Sequence, residues 1–160
     1  LRIRHGNRAS VRHHVVIARS ADDVWALVGD PARICHWFPG IDSSPVEGAL
    51  RTVTTGAGII MPEQLLTVDP LQRRLQYRIT TSMIREHLGT IDVLELGPAS
   101  TLVVYSTDAD PATLALVIGG ATANALAYLR SLLEDDGSSR AGPRDSWGEA
   151  PGATAATREA

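Results

Sequence analysis

Four side chains in the middle of this 160-residue sequence have the chemistry to move a proton or steady a developing charge: Glu63, Tyr77, His87 and Tyr105. Each falls on a run that reads as a β-strand, where alternate residues share a face. Leu75, Tyr77 and Ile79 alternate with Gln76, Arg78 and Thr80, which puts the first three on an apolar face. His87, Gly89, Ile91 and Val93 repeat the pattern, as do Val103 and Tyr105. Tyr77, His87 and Tyr105 should therefore meet near Glu63 on one inner wall. A general base needs a pKa near the working pH, which histidine has unperturbed and a buried carboxylate gains by desolvation. A phenol such as Tyr105 can donate to an enolate oxygen. Glu63, His87 and Tyr105 are the candidate catalytic residues. A plainer reading stands beside each: His87 at the surface end of a strand, Glu63 as a solvated partner for Arg51 or Arg78, and the tyrosines as ordinary wall residues.

Other reactive residues lead to no site. Cys35 and His36 are helix neighbours about a hundred degrees apart, so they do not face each other, and Cys35 reads as a small packing residue. His13 and His14 point to opposite faces of a strand, with no third ligand at useful spacing, so no metal and no cofactor is expected. With Cys35 the only cysteine, no intramolecular disulfide can form. A net charge of -3 argues against a whole-domain nucleic-acid footprint. Neither a secretory leader nor a membrane-spanning run is apparent, so a soluble, cytoplasmic protein is expected, as a monomer or homodimer.

The elements that must position these residues follow from punctuation and period. Residues 11–18 read as a first strand. Ser20 then caps a helix with Asp22 and Asp23 in its first turn and Val24, Trp25, Leu27 and Val28 on its apolar face. Pro31 ends that helix and opens a second short one, which stops at Pro39-Gly40. Between residues 45 and 108 short β-rich runs separated by turn signals predict an antiparallel meander, with strands near 44–47, 49–55, 59–68, 74–80, 87–96 and 101–107. Pro62 inside the third of these marks an edge or a bulge. A long helix follows Asp110-Pro111, with Leu114, Val117, Ile118, Ala121, Ala125, Leu129 and Leu132 at three- and four-residue spacing to about Asp135. One domain over residues 11–135 is expected, preceded by a flexible basic arm at 1–10 and followed by a disordered tail at 136–160.

The order of strand, two short helices, meander and long helix, together with residues 17–25 (IARSADDVW), Gly29-Asp30-Pro31 and residues 36–41 (HWFPGI), resembles the polyketide cyclase/dehydrase family of the START-like helix-grip superfamily. Val68-Asp69-Pro70, residues 75–79 (LQYRI) and residues 129–134 add to the resemblance, which covers about residues 11–134. It implies an α+β helix-grip fold: a curved antiparallel sheet of six or seven strands wrapped around the C-terminal helix, with an apolar cavity between them. The sequence has its own sign of unusual space there. Residues 119–125 (GGATANA) have almost no side-chain bulk, and each interior glycine costs a helix about 1 kcal/mol relative to alanine. Either the sheet approaches closely or room is left for a ligand, and the resemblance favours the latter.

The expected ligand-binding residues are Trp37 at the cavity mouth, Tyr77, Ile79, Ile91 and Val103 on the sheet, and Ile118, Ala121, Thr122 and Ala125 on the long helix. The partner is then a hydrophobic small molecule such as a lipid, polyketide or aromatic metabolite. One fold hosts many functions, so two alternatives stay open: a cofactor-independent cyclase, aromatase or dehydratase working by proton transfer, and a regulatory or chaperone-like protein-interaction domain.

Overall fold

A computed structural model describes residues 7–138. Strand β1 (Ala9–Ile17) leads into helix α1 (Ala21–Val28), a 3-10 turn (Pro31–Arg33) and helix α2 (Ile34–Trp37). Seven strands follow: β2 (Ile41–Ser43), β3 (Val46–Glu47), β4 (Leu50–Thr55), β5 (Ile60–Asp69), β6 (Arg74–Ile79), β7 (Glu86–Gly97) and β8 (Ser100–Asp110). Helix α3 (Ala112–Ser138) closes the described chain. The strands form one antiparallel sheet in the order β1-β8-β7-β6-β5-β4-β2, with β3 pairing β4. The strand not anticipated is β2, whose three residues are too few for an alternation to register.

Local signals act where the sequence places them. The Ser20 hydroxyl accepts from the Asp23 N–H at 3.1 Å and starts α1. Asp30 does the same for the 3-10 turn through the Ala32 N–H at 3.0 Å, with Pro31 in the first position. Pro62 lies in an interior strand, not at an edge, and the irregularity of pairing falls beyond it, between Leu65 and Thr67. Its carbonyl accepts from the Thr80 N–H just past the end of β6, so its missing N–H falls where that ladder stops.

The ends of the domain lie outside the expected limits. β1 begins at Ala9, and Arg8 pairs with Glu86 at 3.2 Å, so residues 8–10 belong to the folded unit. α3 continues to Ser138. The remainder of the expected arm, residues 1–6, and of the expected tail, residues 139–160, lie outside the described residues.

α3 packs on β1 and β8. Its segment Ala112–Asp135 is long and apolar enough by composition to cross a membrane, contrary to the expectation of no such run. Here its buried stripe, including Ala115, Ala125, Leu126 and Leu129, is covered by the sheet and by the short helices. The small residues of its middle serve two ends. A Cβ on Gly119 would stand 2.6 Å from Val11 Cγ1 of β1, so the backbones meet closely there, whereas a Cβ on Gly120 would touch nothing within 4 Å. Gly120→Ala should therefore raise stability by about 0.5–1 kcal/mol through helix propensity. Gly119→Ala should lower it by roughly 1 kcal/mol, because stiff, branched Val11 must be displaced. Urea unfolding of the two variants checks this, and equal gains from both would contradict the close approach.

Candidate functional site

A cavity of about 310 Å³ lies between the first half of α3 and strands β4, β5 and β6, with the α2–β2 turn closing one side. Its walls are apolar: Ile34, Phe38 and Ile41 from the short helix and turn, Val53 and Met61 from β4 and β5, and Leu114, Val117, Ile118 and Ala121 from α3. It opens outward into a second apolar hollow of about 400 Å³, with which it shares Met61, Ile79, Ile84, Leu114 and Val117. Ile59, Ile60 and Met83 stand exposed around that mouth.

The polar groups gather on the sheet side. Arg51 and Glu63 are register partners across β4 and β5, and Arg51 Nε donates to Glu63 Oε2 at 2.6 Å. The pair is buried, with the residues 1% and 4% exposed. Arg51 Nη1 donates to the Pro31 carbonyl at 3.2 Å, and the guanidinium carbon lies 4.7 Å from the centre of the Tyr77 ring. Burial pushes the Glu63 carboxyl up from its ordinary range while the adjacent Arg51 charge pulls it back. The Tyr77 and Tyr105 hydroxyls share a hydrogen bond at 2.5 Å. Burial drives both phenols up, Tyr77 far above its usual value and Tyr105 to about 12, so both are neutral at physiological pH.

The meeting of the two tyrosines depends on a residue without a side chain. Tyr77 on β6 is paired with Gly89 on β7, and Tyr105 lies on β8, opposite Ile91. To reach Tyr105 the Tyr77 ring must cross β7, and it does so over Gly89, where a Cβ would stand 2.5 Å from its ring carbons. Trp37 supports Tyr105 from the core, their ring centres 6.3 Å apart.

Of the residues singled out from sequence, Glu63, Tyr77, Ile79, Tyr105, Ile118 and Ala121 line the cavity. The other six do not. Trp37, Ile91, Val103 and Ala125 are buried in the packed core with Val24, Val28, Leu126 and Leu129, because α1 and the second half of α3 fill that end of the sheet. Thr122 is buried with its hydroxyl donating to the Gly119 carbonyl at 2.8 Å. His87 does not line this cavity: it is buried behind Tyr77, their rings 5.4 Å apart, beside a separate hollow that it shares with Arg78, Thr80 and Arg85, and its Nδ1 accepts the Ile79 N–H at 3.1 Å. It occupies the gap where β6 and β7 part after the Tyr77 and Gly89 pair, satisfying a backbone donor that β7 leaves unpaired. Glu63 has the Arg51 partner anticipated for it, though buried instead of solvated, while Arg78 pairs with Gln64. Arg51 is the residue that sequence reading undervalued. Its signal was alternation, since Arg51 and Val53 are the two buried positions of β4. Cys35 is half-buried beside exposed His36. No group of three or more metal-ligating side chains occurs among the described residues.

The comparisons agree with this architecture. Residues 8–134 match the family model described as polyketide cyclase / dehydrase and lipid transport. The chain belongs to that family, and its architecture is the helix-grip fold. No curated protein matches the sequence significantly. Among solved structures, the protein XoxI from Bacillus cereus is similar at 24% identity with a TM-score of 0.76, covering 81% of this chain and 98% of that one. Norcoclaurine synthase from Thalictrum flavum, solved with a transition-state analogue, is similar at 19% identity and a TM-score of 0.64, covering 81% and 96%. The di-domain ARO/CYC protein BexL of the BE-7585A biosynthetic pathway is similar at 20% identity and a TM-score of 0.67, covering 79% of this chain and 46% of that one. At these identities the likeness is one of fold.

Burial pushes the His87 imidazole from its ordinary 6.5 down to about 4. Between those values the unfolded chain takes up a proton that the folded one refuses, so stability is fully present above about pH 6.5 and falls as pH drops towards 4. The loss should reach roughly 3 kcal/mol. Glu63, shifted upward, works in the opposite sense, so the clean readout is a difference: urea unfolding at pH 7 and 4.5 should show a smaller acid loss in His87→Gln than in the wild type. Equal losses would mean that His87 is not held neutral.

Proposed function

We propose that the protein binds a hydrophobic small molecule in the cavity under the first half of α3, with the molecule's polar end on the Glu63, Tyr77 and Tyr105 floor and its apolar remainder towards the mouth. The observation that carries this reading is the cavity itself: an opening walled by aliphatic and aromatic side chains with a few convergent polar atoms at one place, the usual build of a small-molecule site. The family's lipid-transport and cyclase description is consistent with it.

A second reading, a proton-transfer cyclase or dehydratase, has one specific observation in its favour. Glu63 and Tyr105 converge on the same space, a carboxylate raised by desolvation beside a neutral phenol. His87, facing away, has no part in it. In that reading Glu63 is the base and the tyrosine pair steadies the enolate.

Native mass spectrometry after gentle purification should reveal a bound apolar compound. Ala121→Trp, which puts bulk into the cavity from an exposed helix position, should weaken binding about tenfold or more with little change in melting temperature. Unchanged binding in that variant, or no uptake of any apolar compound, would contradict the site. Deuterium exchange at the α-carbon of a bound aryl ketone, present in the wild type and lost in Glu63→Gln, would separate the enzyme from the carrier.

A further inference from the structure

The buried arginine beside the cavity invites the expectation of an acidic ligand, and the geometry points the other way. Arg51 does not line the cavity; Glu63 does. The guanidinium is held by Glu63 Oε2, by the Pro31 carbonyl and by the Tyr77 ring, and its Nη2, which has no hydrogen-bond partner among the described residues, is buried out of reach of the cavity surface. Glu63 uses only Oε2 in that pair, and its Oε1 makes no hydrogen bond among the described residues. What the ligand meets is therefore a carboxylate oxygen, not a cation.

The second polar group on the floor is the tyrosine pair. Two hydroxyls bonded to each other use one hydrogen and leave one over, so the pair has a single donor to offer. The floor thus presents one acceptor, Glu63 Oε1, and one donor, a tyrosine O–H, with the charge of Glu63 cancelled from behind by Arg51. A hydroxyl group answers both: its hydrogen goes to Glu63 and its oxygen accepts from the tyrosine. A carboxylate answers only the donor, and its own charge would be buried in a space walled by apolar side chains with no counter-ion left to pair it, since Arg51 is already matched by Glu63.

We propose that the cavity selects uncharged, hydroxyl-headed apolar molecules, alcohols or phenols, and rejects carboxylates of the same shape. Rejection by an unmatched charge is as much a part of the selectivity as the two hydrogen bonds. The inference rests on the binding reading above and goes beyond it in naming the head group.

The test uses three probes of nearly equal shape, 1-naphthol, 1-naphthoic acid and 1-methylnaphthalene, titrated into the wild-type protein at pH 7 by calorimetry. Naphthol should bind tightest, and the naphthoate about tenfold or more weaker. Raising the pH through the ionisation of naphthol itself should weaken its binding, with no change in shape. In Glu63→Gln, where Arg51 loses its counter-charge, the naphthoate should gain on naphthol. If the naphthoate binds as well as naphthol or better, or if the three probes bind alike, the head-group selection is overturned while the cavity reading stands. If none of the three binds, both fall. The wild-type series decides the matter even if Glu63→Gln does not fold.

Discussion

The structure turns on one buried ion pair. Taking a guanidinium and a carboxylate out of water costs several kcal/mol per ion, and an apolar pair of the same volume would often be as stable. Arg51 and Glu63 offset that cost with a 2.6 Å hydrogen bond in strand register, a second bond to the Pro31 carbonyl, and the face of the Tyr77 ring. The contact to Pro31 ties the sheet to the segment that carries α2, whose Ile34 forms part of the cavity wall. Because the pair must keep its partners, the sheet side of the cavity cannot be repacked with larger apolar groups without leaving a charge alone. The polar floor and the open space above it are held by the same constraint.

Around that pair the sheet is divided by what covers it. α1 and the second half of α3 press on Ile91, Val93 and Val103, and there the interior is solid. Under the first half of α3 the cover is thinner, and the cavity remains. Gly119 is the point where the helix comes down onto β1, and Ala121, two residues on, turns to the cavity. A single short stretch of small residues thus allows close packing on one side and leaves room on the other. Gly89 does the comparable work within the sheet, letting Tyr77 lie across β7 to meet Tyr105.

The fold was legible because its signals are local. Ser20 starts α1 by accepting a backbone N–H with its hydroxyl and Pro31 opens the next turn with its fixed φ, both readable from sequence, and period-two alternation put Leu75, Tyr77 and Ile79 on the buried face, where burial places them. The site was half legible for a different reason. Alternation reports which face a side chain takes, not what lies above it, so Tyr105, which meets the cavity, and Val103, which meets packed helices, look alike in sequence. His87 has the right face and the right chemistry, yet it fills the gap between parting strands, a feature set by where the β6 and β7 pairing stops. Arg51 was passed over because arginine on a strand usually faces water, and only its register with Glu63 draws it inside.

The most direct measurement is methyl NMR of isoleucine-labelled protein titrated with an apolar aromatic compound. Ile34, Ile41, Ile79, Ile84 and Ile118 line the cavity, while Ile17 and Ile91 sit in the closed core. The account predicts that the first group shifts progressively with added compound and the second group stays in place. Shifts spread evenly over both groups, or confined to Ile17 and Ile91, would contradict it.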